Sequence, residues 1–135
     1  MMTDTARTKG MPVPKTIMTV DDSPSMRMLL RAALTDLGYR VIEAEDGVHA
    51  LETLDQAGAV APDLLITDIN MPRMDGFGLI GAVRERGNRS LPILVLTTES
   101  SDEKKQRARE AGATGWIIKP FHPDKLAAAI RRVLH

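Results

Sequence analysis

Strand-like and helix-like segments alternate along this chain, and that alternation is the feature that most restricts its fold. Short apolar or β-branched runs occupy residues 15–20, 39–44, 64–67, 91–96 and 115–118. Each run is followed within a few residues by a segment whose apolar residues recur at helical spacing. Five such pairs with short links specify a parallel sheet with helices on both faces. We therefore predict an α/β fold with a doubly wound, five-stranded parallel sheet.

Signals at the helix ends support this division. Ser23 followed by Pro24 is typical of a helix start, and Gly38 is typical of a helix end. Between them, apolar residues recur at helical spacing and predict one apolar face: Met26, Leu29, Leu30, Ala33, Leu34 and Leu37. Further along, Ser100 with Glu103 predicts a capping box for a charged helix.

The composition is that of an ordinary globular domain and excludes several functions. Its 135 residues suffice for one domain. The 18 basic residues balance the 18 acidic ones, and no basic stripe with interleaved aromatics indicates nucleic-acid binding. The absence of cysteine excludes disulfides, cysteine–zinc sites and thiol catalysis.

The sequence contains no recognisable targeting or membrane segment. Residues 1–14 lack the apolar core of a secretory signal, and no apolar run approaches the roughly 18 residues of a membrane span. We expect residues 1–14 to form a flexible N-terminal tail and residues 15–135 to form the domain. We also expect a cytoplasmic protein without a membrane partner and without an attached output domain.

The third apolar run ends on a lone carboxylate. Leu64 to Thr67 are apolar or β-branched without strict alternation, as in a strand covered on both faces, and Asp68 follows directly. Polar side chains also follow other runs: Asp21 and Asp22 after the first, Thr97 after the fourth and Lys119 after the fifth. The carboxyl ends of parallel strands meet at one edge, where open α/β sheets bind ligands. We therefore expect these side chains to lie together.

The residue types at this edge suit a phosphoryl group and a divalent cation. Clustered carboxylates repel one another unless a cation lies among them, and oxygen ligands without histidine or cysteine suit Mg²⁺. Lysine supplies a compact positive charge and threonine a hydroxyl donor, both of which a bound phosphoryl group needs. A carboxylate can itself accept phosphate. An isolated aspartate at a strand end is usually a cap or turn residue, but its surroundings predict that Asp68 is a phosphoryl acceptor.

Together these motifs resemble one known family. The matching pieces are Val20-Asp21-Asp22, Asp68-Ile69-Asn70-Met71-Pro72 with Asp75-Gly76, Thr97, and Lys119-Pro120-Phe121. The sequence is similar to the receiver domain of two-component response regulators, and among those to the single-domain chemotaxis (CheY-like) regulators. The resemblance covers nearly the whole chain and implies a flavodoxin-like (βα)5 fold.

The resemblance also implies a role for each site residue. Asp68 would be phosphorylated by a histidine kinase. Mg²⁺ would be bound directly by Asp22, Asp68 and the backbone carbonyl of Asn70, while Asp21 would act through water. Lys119 would contact the phosphoryl group.

Further family positions concern the switch and the fate of the phosphoryl group. Thr97 would turn toward the phosphoryl group and Trp116 would swing inward with it, at a position where Tyr or Phe is usual. Without the family, Trp116 would be a core residue on an edge strand. The Lys119–Pro120 bond is expected to be cis. Asn70 and Glu99 would flank the path of attacking water and tune dephosphorylation, or would simply be exposed polar residues.

The expected function is a phosphorylation-dependent signalling switch rather than an enzyme. It would act as a monomer, most readily in chemotaxis, between a histidine kinase and the flagellar motor switch or another protein target. A phosphate sink or a stress or development receiver shares the same chemistry. A metal-dependent phosphatase would need a second acid near its nucleophile, commonly two residues on, where this chain has Asn70. A phosphorylation-independent interaction module is disfavoured by the full acidic, threonine and lysine set.

Overall fold

The predicted alternation of strands and helices is present in the computed structural model, which describes residues 14–56, 58 and 61–134. The strands are β1 Thr16–Val20, β2 Arg40–Ala44, β3 Leu64–Thr67, β4 Ile93–Thr97 and β5 Gly115–Ile118. The helices are α1 Pro24–Asp36, α2 Gly47–Asp55, α3 Gly76–Glu85, α4 Asp102–Ala111 and α5 Pro123–Val133. The α/β class is therefore confirmed.

The strands form one parallel sheet in the order β2-β1-β3-β4-β5. This order is that of flavodoxin-like doubly wound sheets, which bind ligands where the direction of winding reverses, outside the carboxyl ends of the strands. In this chain the reversal falls between β1 and β3. The polar residues that follow these two strands therefore lie at the expected crevice.

The sheet separates two hydrophobic clusters. On one face, α1 and α5 cover buried side chains that include Ile17, Leu30, Leu34, Leu64, Ile66, Leu94, Leu96, Leu126 and Ile130. On the other face, α2, α3 and α4 cover a set that includes Met18, Val20, Ala50, Leu65, Leu79, Ile80, Ile93, Val95 and Ala108. Because side chains alternate along each strand, neighbouring strand residues supply opposite clusters. The layered arrangement confirms the doubly wound sheet.

The apolar face of α1 is narrower than the sequence indicates. Leu30 and Leu34 are buried, whereas the side chains of Leu29 and Leu37 are 54% and 43% exposed. Leu29 directly precedes Leu30, and consecutive helical residues point about 100° apart. The predicted apolar face is therefore wrong for Leu29, which lies in α1, and for Leu37, which directly follows it.

Several boundaries also differ from expectation; β4, for example, begins at Ile93 rather than at residue 91. The helix α4 begins one residue later than predicted, with Ser101 as its cap accepting a hydrogen bond from Lys104 N at 3.2 Å. The capping box of Ser100 and Glu103 is therefore wrong. Thr97 is the last residue of β4 and fully buried, rather than the first residue beyond the strand.

Other expectations concern the tail and membranes. Apart from Pro14, the expected tail of residues 1–14 lies outside the described residues. Among the helices that the structure describes, none is long and apolar enough to cross a membrane.

Leu34 and Leu29 of α1 provide a test of this packing. Leu34→Ala should lower the free energy of unfolding by about 2–5 kcal/mol because it leaves a cavity in the core. Leu29→Ala, in the same helix, should change it by only about 0.5 kcal/mol because the side chain is exposed. Urea unfolding measures both, and equal losses would contradict the assignment of the buried face.

Candidate functional site

A single lysine joins the carboxylates that follow β1 and β3. Lys119, directly after β5, donates from Nζ to Asp21 Oδ2 at 2.8 Å and to Asp68 Oδ2 at 2.7 Å. Its side chain is only 12% exposed. Three strand ends that are far apart in the sequence therefore meet in one set of charge-assisted hydrogen bonds.

The second oxygen of each carboxylate is fixed by the local backbone. Asp21 Oδ1 accepts a hydrogen bond from Ser23 N at 2.9 Å, in the turn that leads into α1. Asp68 Oδ1 accepts one from Ile69 N at 2.6 Å. Both side chains are buried, and these bonds orient their remaining oxygens toward Lys119.

Asp22 completes an acidic cluster with these two residues. One carboxylate oxygen from each of Asp21, Asp22 and Asp68 lies within 4.8 Å of the others. Asp22 is exposed, so the cluster opens to solvent on that side. Three carboxylates and one lysine leave a formal excess of two negative charges, and all the ligand atoms are hard oxygens. The donor set fits Mg²⁺.

Lys119 remains charged in this environment. Burial disfavours its charge, but the hydrogen bonds that Lys119 donates to Asp21 and Asp68 outweigh that effect and raise the pKa of Lys119 above its ordinary value. The Lys119–Pro120 peptide bond is cis, the isomer that the resemblance implies.

Thr97 and Trp116 are both hydrogen-bonded to the Glu99 backbone. Thr97 Oγ1 accepts from Glu99 N at 3.3 Å, a long and therefore weak bond. Trp116 Nε1 donates to the Glu99 carbonyl oxygen at 3.1 Å. The indole is half-buried against the cluster beneath α4. One peptide segment thus connects the buried hydroxyl to the aromatic ring.

The Glu99 side chain lies beside the acidic cluster. It accepts a hydrogen bond from Asn70 Nδ2 at 2.9 Å and pairs with Lys104 Nζ at 3.0 Å. The bonds from Asn70 and Lys104 hold the pKa of Glu99 below its ordinary value. The two residues predicted to flank the site are therefore in direct contact.

Three residues near the site were not singled out from the sequence. Arg27 donates from Nη1 to the backbone carbonyl of Asp21. Arg73, which follows Asp68 in the same loop, forms an ion pair with buried Asp46 at 2.8 Å. Asp46 before Gly47 is a recognisable helix-cap signal. Nothing in the sequence marks either arginine, because each is defined by one contact of the folded chain.

The match to a family model agrees with this geometry. Doubly wound parallel sheets bind ligands outside the carboxyl ends of their strands, where Lys119 and the acidic cluster lie. The model of the response regulator receiver domain matches residues 17–131. The chain belongs to this family, and it is a receiver domain of the two-component type.

Individual relatives include both single-domain and longer proteins. The chain is 40% identical over 120 residues to the chemotaxis protein CheY1 of Helicobacter pylori, covering 87% of this chain and 95% of that protein. It is 37% identical over 118 residues to a protein of Guillardia theta named probable transcriptional regulator ycf27, covering 87% of this chain but only 44% of that one. The crystal structure of the chemotaxis response regulator CheY4 of Vibrio cholerae superposes with a TM-score of 0.82 at 44% identity, over 90% of this chain and 100% of that one.

Gly76 and Gly81 of α3 provide a test of how closely this helix packs against the backbone of Asp68. A Cβ on Gly76 would lie 2.3 Å from the Asp68 carbonyl oxygen, whereas a Cβ on Gly81 would meet nothing within 4 Å. Gly76→Ala should therefore lower the free energy of unfolding by about 1–3 kcal/mol. Gly81→Ala should raise it by about 0.5–1 kcal/mol through better helix propensity. Urea unfolding distinguishes them, and a gain for both would contradict the close approach.

The raised pKa of Lys119 predicts a dependence of stability on alkaline pH. A raised pKa means that Lys119 stabilises the fold fully below its ordinary value of 10.5 and progressively less above it. Lys119→Gln should lower the free energy of unfolding at pH 7, since it leaves Asp21 and Asp68 without their cation. The difference between native and variant should narrow as the pH rises above 10.5. A difference that stayed constant with pH would contradict this ion pairing.

Proposed function

We propose that this chain is a single-domain response regulator whose Asp68 accepts a phosphoryl group from a histidine kinase in a Mg²⁺-dependent reaction. The observation that carries the proposal is the pairing of Lys119 with Asp21 and Asp68 at 2.8 and 2.7 Å, with Asp22 in the same cluster. Residues 15–135 would form the receiver domain. The family match over residues 17–131 supports that assignment.

The chain's own residues have separate roles in the transfer. A carboxylate oxygen of Asp68 attacks the phosphorus of the kinase phosphohistidine, and the phosphorus–nitrogen bond breaks as the phosphorus–oxygen bond forms. Lys119 remains beside the acceptor and offsets the added negative charge. The Thr97 hydroxyl, held only weakly by Glu99 N–H, can turn and donate to a phosphoryl oxygen.

The metal site would be built from the same strand ends. Asp22, Asp68 and the backbone carbonyl of Asn70 would hold Mg²⁺ directly, and Asp21 would hold it through water. The oxygen-only donor set and the excess negative charge support this assignment. When bound, Mg²⁺ neutralises charge on the carboxylates and on the phosphoryl oxygens.

The proposed switch extends from Thr97 to Trp116. Both residues are hydrogen-bonded to the Glu99 backbone, at 3.3 Å from Glu99 N and 3.1 Å from Glu99 O. A turn of the Thr97 hydroxyl therefore removes a partner of the same peptide segment that holds the indole. Movement of that segment changes the surface formed by α4 and β5, which a target protein would bind.

Chemotaxis is the cellular role that the relatives support best. This chain covers 95% of CheY1 and 100% of the CheY4 chain, so the match extends over nearly all of each protein. The proposed partners are a chemotaxis-type kinase and the flagellar motor switch, met as a monomer in the cytoplasm. Binding to a motor-switch protein that requires the phosphorylated chain would separate this role from a phosphate sink or a stress receiver.

The chain would assist only its own phosphorylation and dephosphorylation. A phosphatase that acts on other substrates needs an acid near the nucleophile. Two residues past Asp68 the chain has Asn70, whose amide is already bonded to Glu99 at 2.9 Å. The arrangement therefore favours a phosphoacceptor over an enzyme with turnover.

Phosphorylation by acetyl phosphate tests this function directly. The native chain should gain one phosphoryl group in the presence of Mg²⁺, and chelation of the metal should abolish the gain. Asp68→Asn should prevent the gain because an amide cannot accept the phosphoryl group. Intact-protein mass spectrometry measures the product.

Asp75→Asn is the matched control for this experiment. Asp75 lies in the loop after Asp68 and caps α3 through Gly78 N at 2.8 Å. Asparagine is as good a helix cap as aspartate, so this variant should be phosphorylated like the native chain. Equal labelling of Asp68→Asn and the native chain would refute the assignment of Asp68.

A further inference from the structure

The loop that follows Asp68 contains a strained residue. In this acceptor loop, defined as residues 69–75, Met74 N donates to Pro72 O at 2.6 Å, which makes Arg73 the centre of a tight turn. Arg73 has a φ of 63°, a left-handed conformation unusual for a residue other than glycine. Such a conformation costs about 1–3 kcal/mol and persists only where its surroundings impose it. The structure must therefore hold Arg73 in place.

Asp46 holds Arg73 through two parallel hydrogen bonds. Arg73 Nε donates to Asp46 Oδ2 at 2.8 Å and Arg73 Nη2 donates to Asp46 Oδ1 at 3.0 Å. The Asp46 side chain is 2% exposed. It is itself fixed, because Oδ1 also accepts from His49 N at 2.9 Å and caps α2. A paired arginine fork of this kind gives a defined geometry as well as charge pairing.

Gly47 and Met74, which directly follow Asp46 and Arg73, make a second contact between the same two segments. Gly47 N donates to the Met74 carbonyl oxygen at 3.2 Å. A Cβ on Gly47 would lie 2.7 Å from Met74 Cγ and 2.9 Å from the Met74 carbonyl oxygen, so a side chain at this position would displace Met74. The turn between β2 and α2 therefore contacts the acceptor loop at two consecutive residues, Arg73 and Met74. We call the ion pair of Asp46 and Arg73 the clamp.

The clamp stays charged at neutral pH. The hydrogen bonds from Arg73 are the main cause that lowers the pKa of Asp46 below its ordinary value, against the opposing effect of burial. The start of the acceptor loop is fixed separately at Ile69, whose carbonyl oxygen accepts a hydrogen bond from Gly76 N at 2.8 Å. Asn70 lies between these two fixed points.

We propose that Asp46 and Arg73 are positioning residues that hold the acceptor loop in the shape that the Mg²⁺ site requires. The inference rests on the proposed function, in which the Asn70 backbone carbonyl is a metal ligand. Neither residue belongs to the acidic cluster of Asp21, Asp22 and Asp68. Their effect on the metal is therefore indirect and acts through the backbone between Asn70 and Arg73.

The ion pair between Arg86 and Asp55 is the matched control. Arg86 pairs with Asp55 at the other ends of α3 and α2, and their side chains are 42% and 58% exposed. Exposed pairs of this kind contribute little to stability. Arg86→Gln and Arg73→Gln therefore make the same chemical change, one far from the acceptor loop and one in it.

Calorimetric titration of the full chain with Mg²⁺ tests the clamp. Arg73→Gln should weaken Mg²⁺ binding by about tenfold, the size of effect typical for residues that support metal ligands. Arg86→Gln should stay within about twofold of the native chain, as expected for an exposed pair. Without metal, hydrogen exchange of the Met74 amide should be faster in Arg73→Gln and unchanged in Arg86→Gln.

The Arg73→Gly variant distinguishes the effect of losing the ion pair from the effect of backbone strain at residue 73. Arg73→Gly removes the ion pair but adopts a positive φ at no steric cost, so it should fold and still bind Mg²⁺ more weakly. Native-like affinity in Arg73→Gly and Arg73→Gln, with unchanged Met74 exchange, would overturn the clamp and leave the proposed function intact. A native chain that bound no Mg²⁺ would overturn both.

Discussion

The interaction on which the rest of the site depends is the bridge from Lys119 to Asp21 and Asp68. Folding of the sheet brings these two carboxylates together at the ends of neighbouring strands, where they would repel each other without a cation between them. The lysine Nζ lies 2.8 Å from one and 2.7 Å from the other. Because Lys119 follows β5, the four strands from β1 to β5 in the sheet order (β1, β3, β4 and β5) must be in place for the charges to be balanced.

The burial of the hydrophobic layers offsets the free-energy cost of bringing these charges together. Both faces of the central strands are buried beneath two hydrophobic clusters. The buried carboxylates Asp21 and Asp68 lie at the carboxyl edge of the sheet, where the backbone fixes one oxygen of each. The same edge contains Thr97 and the Glu99 segment that holds Trp116. Through the hydrogen bond from Asn70 to Glu99, the loop after Asp68 is in direct contact with the segment that holds Trp116.

Much of this could be predicted from the sequence, because alternation and strand-end position are local patterns. These patterns predicted the parallel sheet and the position of Lys119 at the acidic edge. They failed where one contact decides between similar candidates: Ser101 rather than its neighbour caps α4, and Leu29 faces outward although its apolar character fits the helix face. They could not reveal Arg73 and Asp46, since the turn geometry and the pairing of two loops are set by the tertiary structure.

The central claim is that Asp68 and its acidic neighbours form a Mg²⁺-dependent phosphoryl site coupled to Trp116, the single tryptophan of the chain. The most direct measurement is tryptophan fluorescence during addition of Mg²⁺ and then beryllofluoride, which mimics a phosphoryl group on aspartate. We expect a change on beryllofluoride addition that requires Mg²⁺ and is absent in Asp68→Asn. The same change in Asp68→Asn, or a change that does not require Mg²⁺, would contradict the claim.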